Sequence, residues 1–226
     1  MKPELILALD VANEEKAKYF LKTLRGTVKW IKIGSQLFVA EGPSILNTIM
    51  DSGFNIFLDL KLHDIPNTVA NTVFSIKSLG PKMITVHTSG GAEMLKKAKE
   101  AAGDRLKVIG VTVLTSMQDD DLLSIGITKS ASAQVLHLSN LAKNSGIDGI
   151  VASPLEAPLI REHIADDFII ITPGIRLKNR KEDDQKRTLS PEEAKNIGIN
   201  YIVVGRPILK AENPLAAAEE ILNSLG

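Results

Sequence analysis

Eight short apolar runs, spaced along the whole chain and separated by helical periodicities, leave few folds open to these 226 residues. The runs fall at 5–9, 30–33, 55–58, 83–87, 108–113, 149–152, 168–172 and 201–204, all rich in Ile, Val and Leu. An antiparallel strand with one wet face alternates polar and apolar residues. These runs are apolar nearly throughout, as parallel strands buried on both faces are.

Helical spacing fills the intervals. Ala17, Phe20, Leu21 and Leu24 share one face, after Asn13 as a cap and before Gly26 as a stop. Val69, Val73 and Ile76 line a second helix; Val135, Leu138, Leu141 and Ala142 line a third. Ser190-Pro191-Glu192-Glu193 has the form of a helix start, with acids at the positive dipole end. Asn213-Pro214 starts the last helix, with Leu215, Ala218 and Leu222 turned inward.

Eight strands alternating with helices imply an α/β protein, a (β/α)8 TIM barrel of one domain spanning 1–226. A doubly wound open sheet is the alternative, but no Gly-rich turn follows the first strand. Active sites of the barrel fold lie at the C-terminal strand ends. Those ends carry Asp10, Lys32, Asp59 with Lys61, His87, Thr115, Ser153, Pro173 with Arg176, and Gly205 with Arg206.

Composition narrows the function. The 27 Lys and Arg balance 27 Asp and Glu, which argues against broad nucleic-acid or polyanion binding. No cysteine is present, excluding disulfides, thiolate catalysis and Cys-ligated metals. The run 5–9 ends in Asp10 and does not read as a signal core, and no apolar stretch approaches the ~20 residues of a membrane span. A cytoplasmic protein is expected.

The segment Asp59-Leu-Lys61-Leu-His63-Asp64-Ile65-Pro-Asn-Thr68 directly follows the third strand. Charges beside an apolar core are costly unless paired. Asp59 and Lys61, two apart, should project from one face of an extended chain, while Asp64 lies past the strand end where a loop can aim it elsewhere. One reading is an ion pair trimming a sheet edge; the other is a catalytic lysine held between carboxylates. Lys32, inside an otherwise apolar strand, needs an anionic partner, and Asp59 is the obvious one. A structural pair explains those two residues, and a chain Lys32–Asp59–Lys61–Asp64 explains all four. Such alternation keeps Lys61 protonated and able to act as an acid.

Two anion sites are suggested. Gly205 allows close approach of backbone N–H groups, and Arg206 offers a fork to phosphate oxygens, after the strand where this fold binds phosphate. The charged stretch from Arg176 to Leu189 lacks apolar period. It reads either as a solvated loop or as a mobile segment, 177–189, that closes on phosphate, with Arg176 and Gln185 as contacts. The four histidines show no metal spacing: His137 is ordinary surface or core, and His63 structural. Asp119-Asp-Asp121 lacks the ligand set of a cation site and should instead cap a helix over 122–125. Met117, Leu122 and Leu123 could cover a bound ring, and Trp30 belongs to the core.

With these residues placed, the chain resembles the orotidine 5′-monophosphate decarboxylase family in its compact bacterial form. The resemblance runs from Leu7-Ala-Leu-Asp10 to Val204-Gly-Arg206 and rests on the Asp59–Thr68 segment. Lys32-Ile-Gly34, Thr112-Val-Leu-Thr115-Ser, Thr172-Pro-Gly-Ile-Arg176 and Gly205-Arg206 follow in the correct order. It implies decarboxylation of a pyrimidine nucleotide, with Lys61 delivering a proton to C6 and Asp59 beside the substrate carboxylate. Asp64 would reach across a homodimer interface into the neighbouring site, lined also by Ile65 and Thr68. Asp10 and Lys32 would hold ribose hydroxyls, Thr115 and Pro173 would lie near the base, and Arg176, Gln185, Gly205 and Arg206 would serve the phosphate. No metal or organic cofactor is implied.

The nearest rival is a related barrel enzyme, a 3-keto-gulonate 6-phosphate decarboxylase or hexulose-6-phosphate synthase, which uses Mg²⁺ on an enediolate. The continuation His63-Asp64-Ile65-Pro-Asn-Thr68 favours the pyrimidine enzyme. A non-catalytic barrel that binds a phosphorylated ligand is a further alternative; there, Lys61→Ala would leave affinity intact and no reaction to lose.

Overall fold

The computed structural model describes residues 2–164, 167–174 and 197–226. Arg176, Gln185, the stretch 177–189 and the expected helix start at Ser190 lie outside these. Strands β1 (Glu4–Ala8), β2 (Trp30–Gly34), β3 (Asn55–Leu62), β4 (Met83–His87), β5 (Lys107–Val111), β6 (Gly149–Val151), β7 (Ile169–Pro173) and β8 (Tyr201–Val204) form one closed barrel in sequence order. Every neighbouring pair is parallel, and β1 closes on β8 with Leu7 opposite Val204. The expected (β/α)8 barrel is therefore present.

Both faces of the strands are apolar because each packs a different layer. Successive side chains alternate across a strand. Ile6, Ala8, Phe57, Met83, Ile109, Ile169, Ile171 and Val203 fill the barrel interior. Leu5, Leu7, Ile31, Ile33, Ile56, Leu58 and their counterparts join the larger layer between strands and helices.

Helix α1 (Glu14–Leu24) shows how the outer layer is built. Asn13 is extended, and its side chain accepts a hydrogen bond from the Lys16 N–H at 3.1 Å. Glu14 and Glu15 lie in the first turn and Lys22 in the last, each matching the dipole. Ala17, Phe20, Leu21 and Leu24 are buried, each large side chain contributing about 1.5–3 kcal/mol. Gly26, at φ 83°, takes the chain out of the helix. Replacing Asn13 by Ala removes the cap, a loss of about 1 kcal/mol.

Several expectations are corrected. Strand β3 runs on to Leu62 rather than ending at 58, and β5 ends at Val111 rather than 113, leaving Thr115 in the following loop. Asp119–Asp121 do not precede a helix: they are the first turn of the helix Asp119–Ser124, and Gln118 is the cap. Asp121 accepts from the Gln118 N–H and Asp119 from the Ala131 N–H, so two of the three carboxylates are used locally. The final helix (Pro214–Ser224) buries Pro214, Ala218 and Ile221, with Leu215 and Leu222 only flanking that stripe. Among the described residues, no helix is long and apolar enough to cross a membrane.

Candidate active site

A cavity of about 270 Å³ opens at the C-terminal ends of the strands. Its floor is apolar, formed by the upper members of the interior cluster: Ala8, Phe57, Ile171 and Val203, with Val111 and Val151 beside them. Its walls are polar where β1, β2 and β3 end. Asp10, Lys32, Asp59, Lys61, Thr115, Pro173, Gly205 and Arg206 all border it. Eight residues chosen from the sequence are thus gathered around one space. His87 and Ser153, also expected at the rim, do not line it; the Ser153 hydroxyl accepts from the Leu155 N–H instead.

The charged groups form a line. Lys32 Nζ lies 3.1 Å from Asp10 Oδ1 and 3.5 Å from Asp59 Oδ2, and Lys61 Nζ lies 2.9 Å from the same Asp59 oxygen. Strands β2 and β3 produce this order, because Gly34 sits opposite Asp59 in the register and places Lys32 one pleat below it on the same face. Burial alone would raise the Asp59 carboxyl. The ammonium groups of Lys32 and Lys61, with hydrogen bonds from Lys61 and Thr85, outweigh it and hold the carboxyl below the usual range.

Lys61 is not extended as expected. Its φ is 51°, the left-handed region, and it is the one non-glycine residue with positive φ among those described. Such a conformation costs roughly 1–3 kcal/mol and persists only where its surroundings hold it. Here the Lys61 N–H donates to Thr85 Oγ1 at 2.8 Å, and that hydroxyl lies 3.0 Å from Asp59 Oδ1. Sequence reasoning missed Thr85. The available signal was a lone hydroxyl in the middle of the apolar run 83–87, beside the charged strand end.

Asp64, Ile65 and Thr68 do not border the cavity. Asp64 is exposed and accepts from the Ile65 N–H at 2.6 Å; no ion pair joins it to Lys61 within the chain. The four-membered line expected from sequence is therefore three-membered inside one chain, preceded by Asp10. Ile65 is 67% exposed, at the start of the helix Pro66–Ser78. The expected ring cover is also different: Leu122 is buried in the outer layer, Leu123 is exposed, and Val113 and Leu114 border the cavity instead. Behind Lys61, the His63 and His87 rings lie 5.4 Å apart. Burial, then the charges of His63 and Lys61, push the His87 imidazole down, against a smaller opposing effect of Asp59. Among the described residues, no group of three His, Cys, Asp or Glu side chains is arranged to hold a metal ion.

Residues 3–221 match the family model described as Orotidine 5'-phosphate decarboxylase / HUMPS family. The chain belongs to that family. Among its relatives, the orotidine 5'-phosphate decarboxylase of Wolbachia pipientis (subsp. Culex pipiens) is 50% identical, with 98% of each chain covered. The enzyme of that name from Opitutus terrae is 46% identical, again over 98% of both. Of solved structures, the Lactobacillus acidophilus orotidine 5'-phosphate decarboxylase superposes with a TM-score of 0.88 at 39% identity, over all of both chains. The orotidine 5'-monophosphate decarboxylase of Methanocaldococcus jannaschii, solved with the inhibitor BMP, gives 0.82 at 27% identity, again over all of both. The relatives named this way are carboxy-lyases, so the family points to the same chemistry as the lysine held against a carboxylate.

Proposed function

We propose that this chain decarboxylates orotidine 5′-monophosphate to uridine 5′-monophosphate, in pyrimidine nucleotide biosynthesis, without a metal ion and with Lys61 as the proton donor. The family match and relatives at 46–50% identity over nearly the full length support the activity. The observation that carries the mechanism is the Lys61 ammonium, 2.9 Å from Asp59 at the edge of a cavity with an apolar floor.

The chemistry follows from that placement. The bond from C6 to the carboxylate breaks, carbon dioxide departs, and the electron pair stays on a ring carbon that cannot spread it easily. An ammonium aimed at that carbon stabilises the growing charge, more strongly where water is excluded. Lys61 then gives its proton to C6 and regains one from solvent. Asp59 stands beside the departing carboxylate, so repulsion between the two favours departure. Lys32 keeps Asp59 ionised and, with Asp10, offers groups for the ribose hydroxyls.

Thr115 and Pro173 flank the base, and Gly205 and Arg206 receive the phosphate. Gly205 passes close to β1, where an added Cβ would lie 3.3 Å from the Ala8 Cβ. Arg176, Gln185 and the stretch 177–189, which follow β7 in sequence, are assigned to the phosphate end. The phosphate thereby supplies binding energy used at the ring.

The same reading makes the enzyme a cytoplasmic homodimer in which Asp64, Ile65 and Thr68 enter the neighbouring subunit's site. Support comes from Asp64 accepting from the Ile65 N–H rather than pairing with its own Lys61, and from Ile65 and Phe74 standing 67% and 64% exposed on one helix and its cap. Apolar area of this kind favours association.

Loss of orotidine 5′-monophosphate absorbance on adding purified protein tests the activity. Lys61→Ala, still binding the product nucleotide, should show none of that loss. An inactive wild-type protein, or an active Lys61→Ala variant, would reject the reading.

A further inference from the structure

Strand β3 slips against β4 at the site. Leu58 pairs with Ile84 and Leu62 with Val86, so the chain advances four residues on β3 while its partner advances two. On the β4 side, residues 59–61 therefore face Thr85 without regular ladder partners. A backbone N–H in a barrel wall that loses its ladder acceptor must find another. For Lys61 that acceptor is Thr85 Oγ1, at 2.8 Å, on a residue with no exposed surface.

The direction of each bond is fixed by chemistry. The amide can only donate, and an ionised carboxylate can only accept. The Thr85 hydroxyl therefore accepts from the Lys61 N–H and donates its own proton to Asp59 Oδ1, 3.0 Å away. The Lys61 ammonium donates to the other oxygen of the same carboxylate, at 2.9 Å. The bonds close a ring: from the Lys61 backbone through Thr85 to Asp59, and back through the Lys61 side chain.

We propose that Thr85 is a positioning residue for the decarboxylation: its hydroxyl holds the left-handed backbone of Lys61 and the carboxylate plane of Asp59 in one fixed relation. The inference rests on the function proposed above. Thr85 does not border the cavity; it acts through Asp59 and Lys61, which do. A displacement of about 1 Å at a proton donor can cost on the order of 100-fold in rate. One hydroxyl with one proton satisfies both partners here, and no apolar side chain of the same shape can.

Thr85→Val keeps the shape and removes the hydroxyl; Thr85→Ser keeps the hydroxyl. Thr85→Val should lower kcat roughly 10- to 100-fold with KM within about threefold, and Thr85→Ser should recover most of the loss. The acid limb of the pH profile should move upward in Thr85→Val, because the ionised Asp59 loses a hydrogen bond. Unchanged kcat in Thr85→Val, a defect in KM alone, or a serine variant as impaired as the valine one would overturn the proposal. Should Thr85→Val not fold, hydrogen exchange of the wild-type Lys61 amide decides the matter. Protection supports the bond to Thr85, and rapid exchange refutes it. Inactivity of the wild-type protein would instead count against the proposed function, leaving the exchange result to judge the ring itself.

Discussion

Lys32 and Asp59 face each other at 3.5 Å across neighbouring strands, each side chain only 12% exposed. Removing one member of such a pair leaves the other charged and poorly solvated, at a cost of about 3–5 kcal/mol. Lys61 remains beside Asp59, so Lys32→Met should fall at the low end, a loss of about 3 kcal/mol in urea unfolding. A loss below about 1 kcal/mol would mean that the pair behaves like an exposed one.

Acid should loosen the protein through Asp59. Its carboxyl is held below the ordinary value of about 3.9, so at any pH above that value it is ionised in both states and its contribution is complete. As pH falls through the folded value, the native state takes up a proton and the contribution is lost. Urea midpoints measured between about pH 5 and pH 2 should fall, and fall less steeply in Asp59→Asn. Equal slopes would assign the acid sensitivity to other carboxylates.

His87 acts at a higher pH with the same sign. Burial pushes its imidazole below about 6.5, so the unfolded chain binds the extra proton first. Its contribution is whole above about pH 6.5 and declines as pH drops toward the folded value. The ring facing it is His63, with Lys61 and Asp59 also within electrostatic range. An NMR titration of His87 should give a midpoint below the free imidazole; one above it would contradict the burial seen here.

A shared active site has a direct genetic test. Asp64 lies beyond β3 and bonds its own loop rather than Lys61. Lys61→Ala and Asp64→Ala proteins, each inactive alone, should regain part of the activity when their subunits are mixed, because one site in each hybrid has both groups intact. No recovery, with hybrid formation confirmed, would assign Asp64 to its own subunit.

Chelation separates the two chemistries that the family's name joins. Lys32 lies beside one oxygen of Asp10 and one of Asp59, and Lys61 beside that same Asp59 oxygen, so ammonium groups stand next to the carboxylates that a Mg²⁺ enzyme would use as ligands. Decarboxylation of orotidine monophosphate should survive exhaustive EDTA treatment. Loss on treatment, restored by Mg²⁺, would favour the sugar-phosphate chemistry.

The barrel could be read from sequence because its information is periodic: eight apolar runs between helical stripes admit few arrangements. Lys32 and Asp59 were also legible, since a charge inside an apolar strand announces a partner. What escaped depended on backbone conformation. Nothing in the letters Asp-Leu-Lys shows that Lys61 turns left-handed, and so the extension of β3 and the role of Thr85 stayed hidden. Asp64 was legible as a residue with freedom to point elsewhere, but its turn onto the Ile65 N–H depends on a loop geometry that composition does not encode. The helix at Asp119 starts three residues earlier than expected because Gln118 caps it, with Asp121 completing the capping box.

The oily plug beneath the cavity has a consequence for traffic. Ile6, Met83, Ile109 and Ile169 belong to the same apolar cluster as the floor residues Phe57 and Ile171 and fill the barrel interior beneath them. The reaction vessel is closed at its base. Nucleotide, water and carbon dioxide must all use the mouth above, so gas escape and product departure compete for the same doorway.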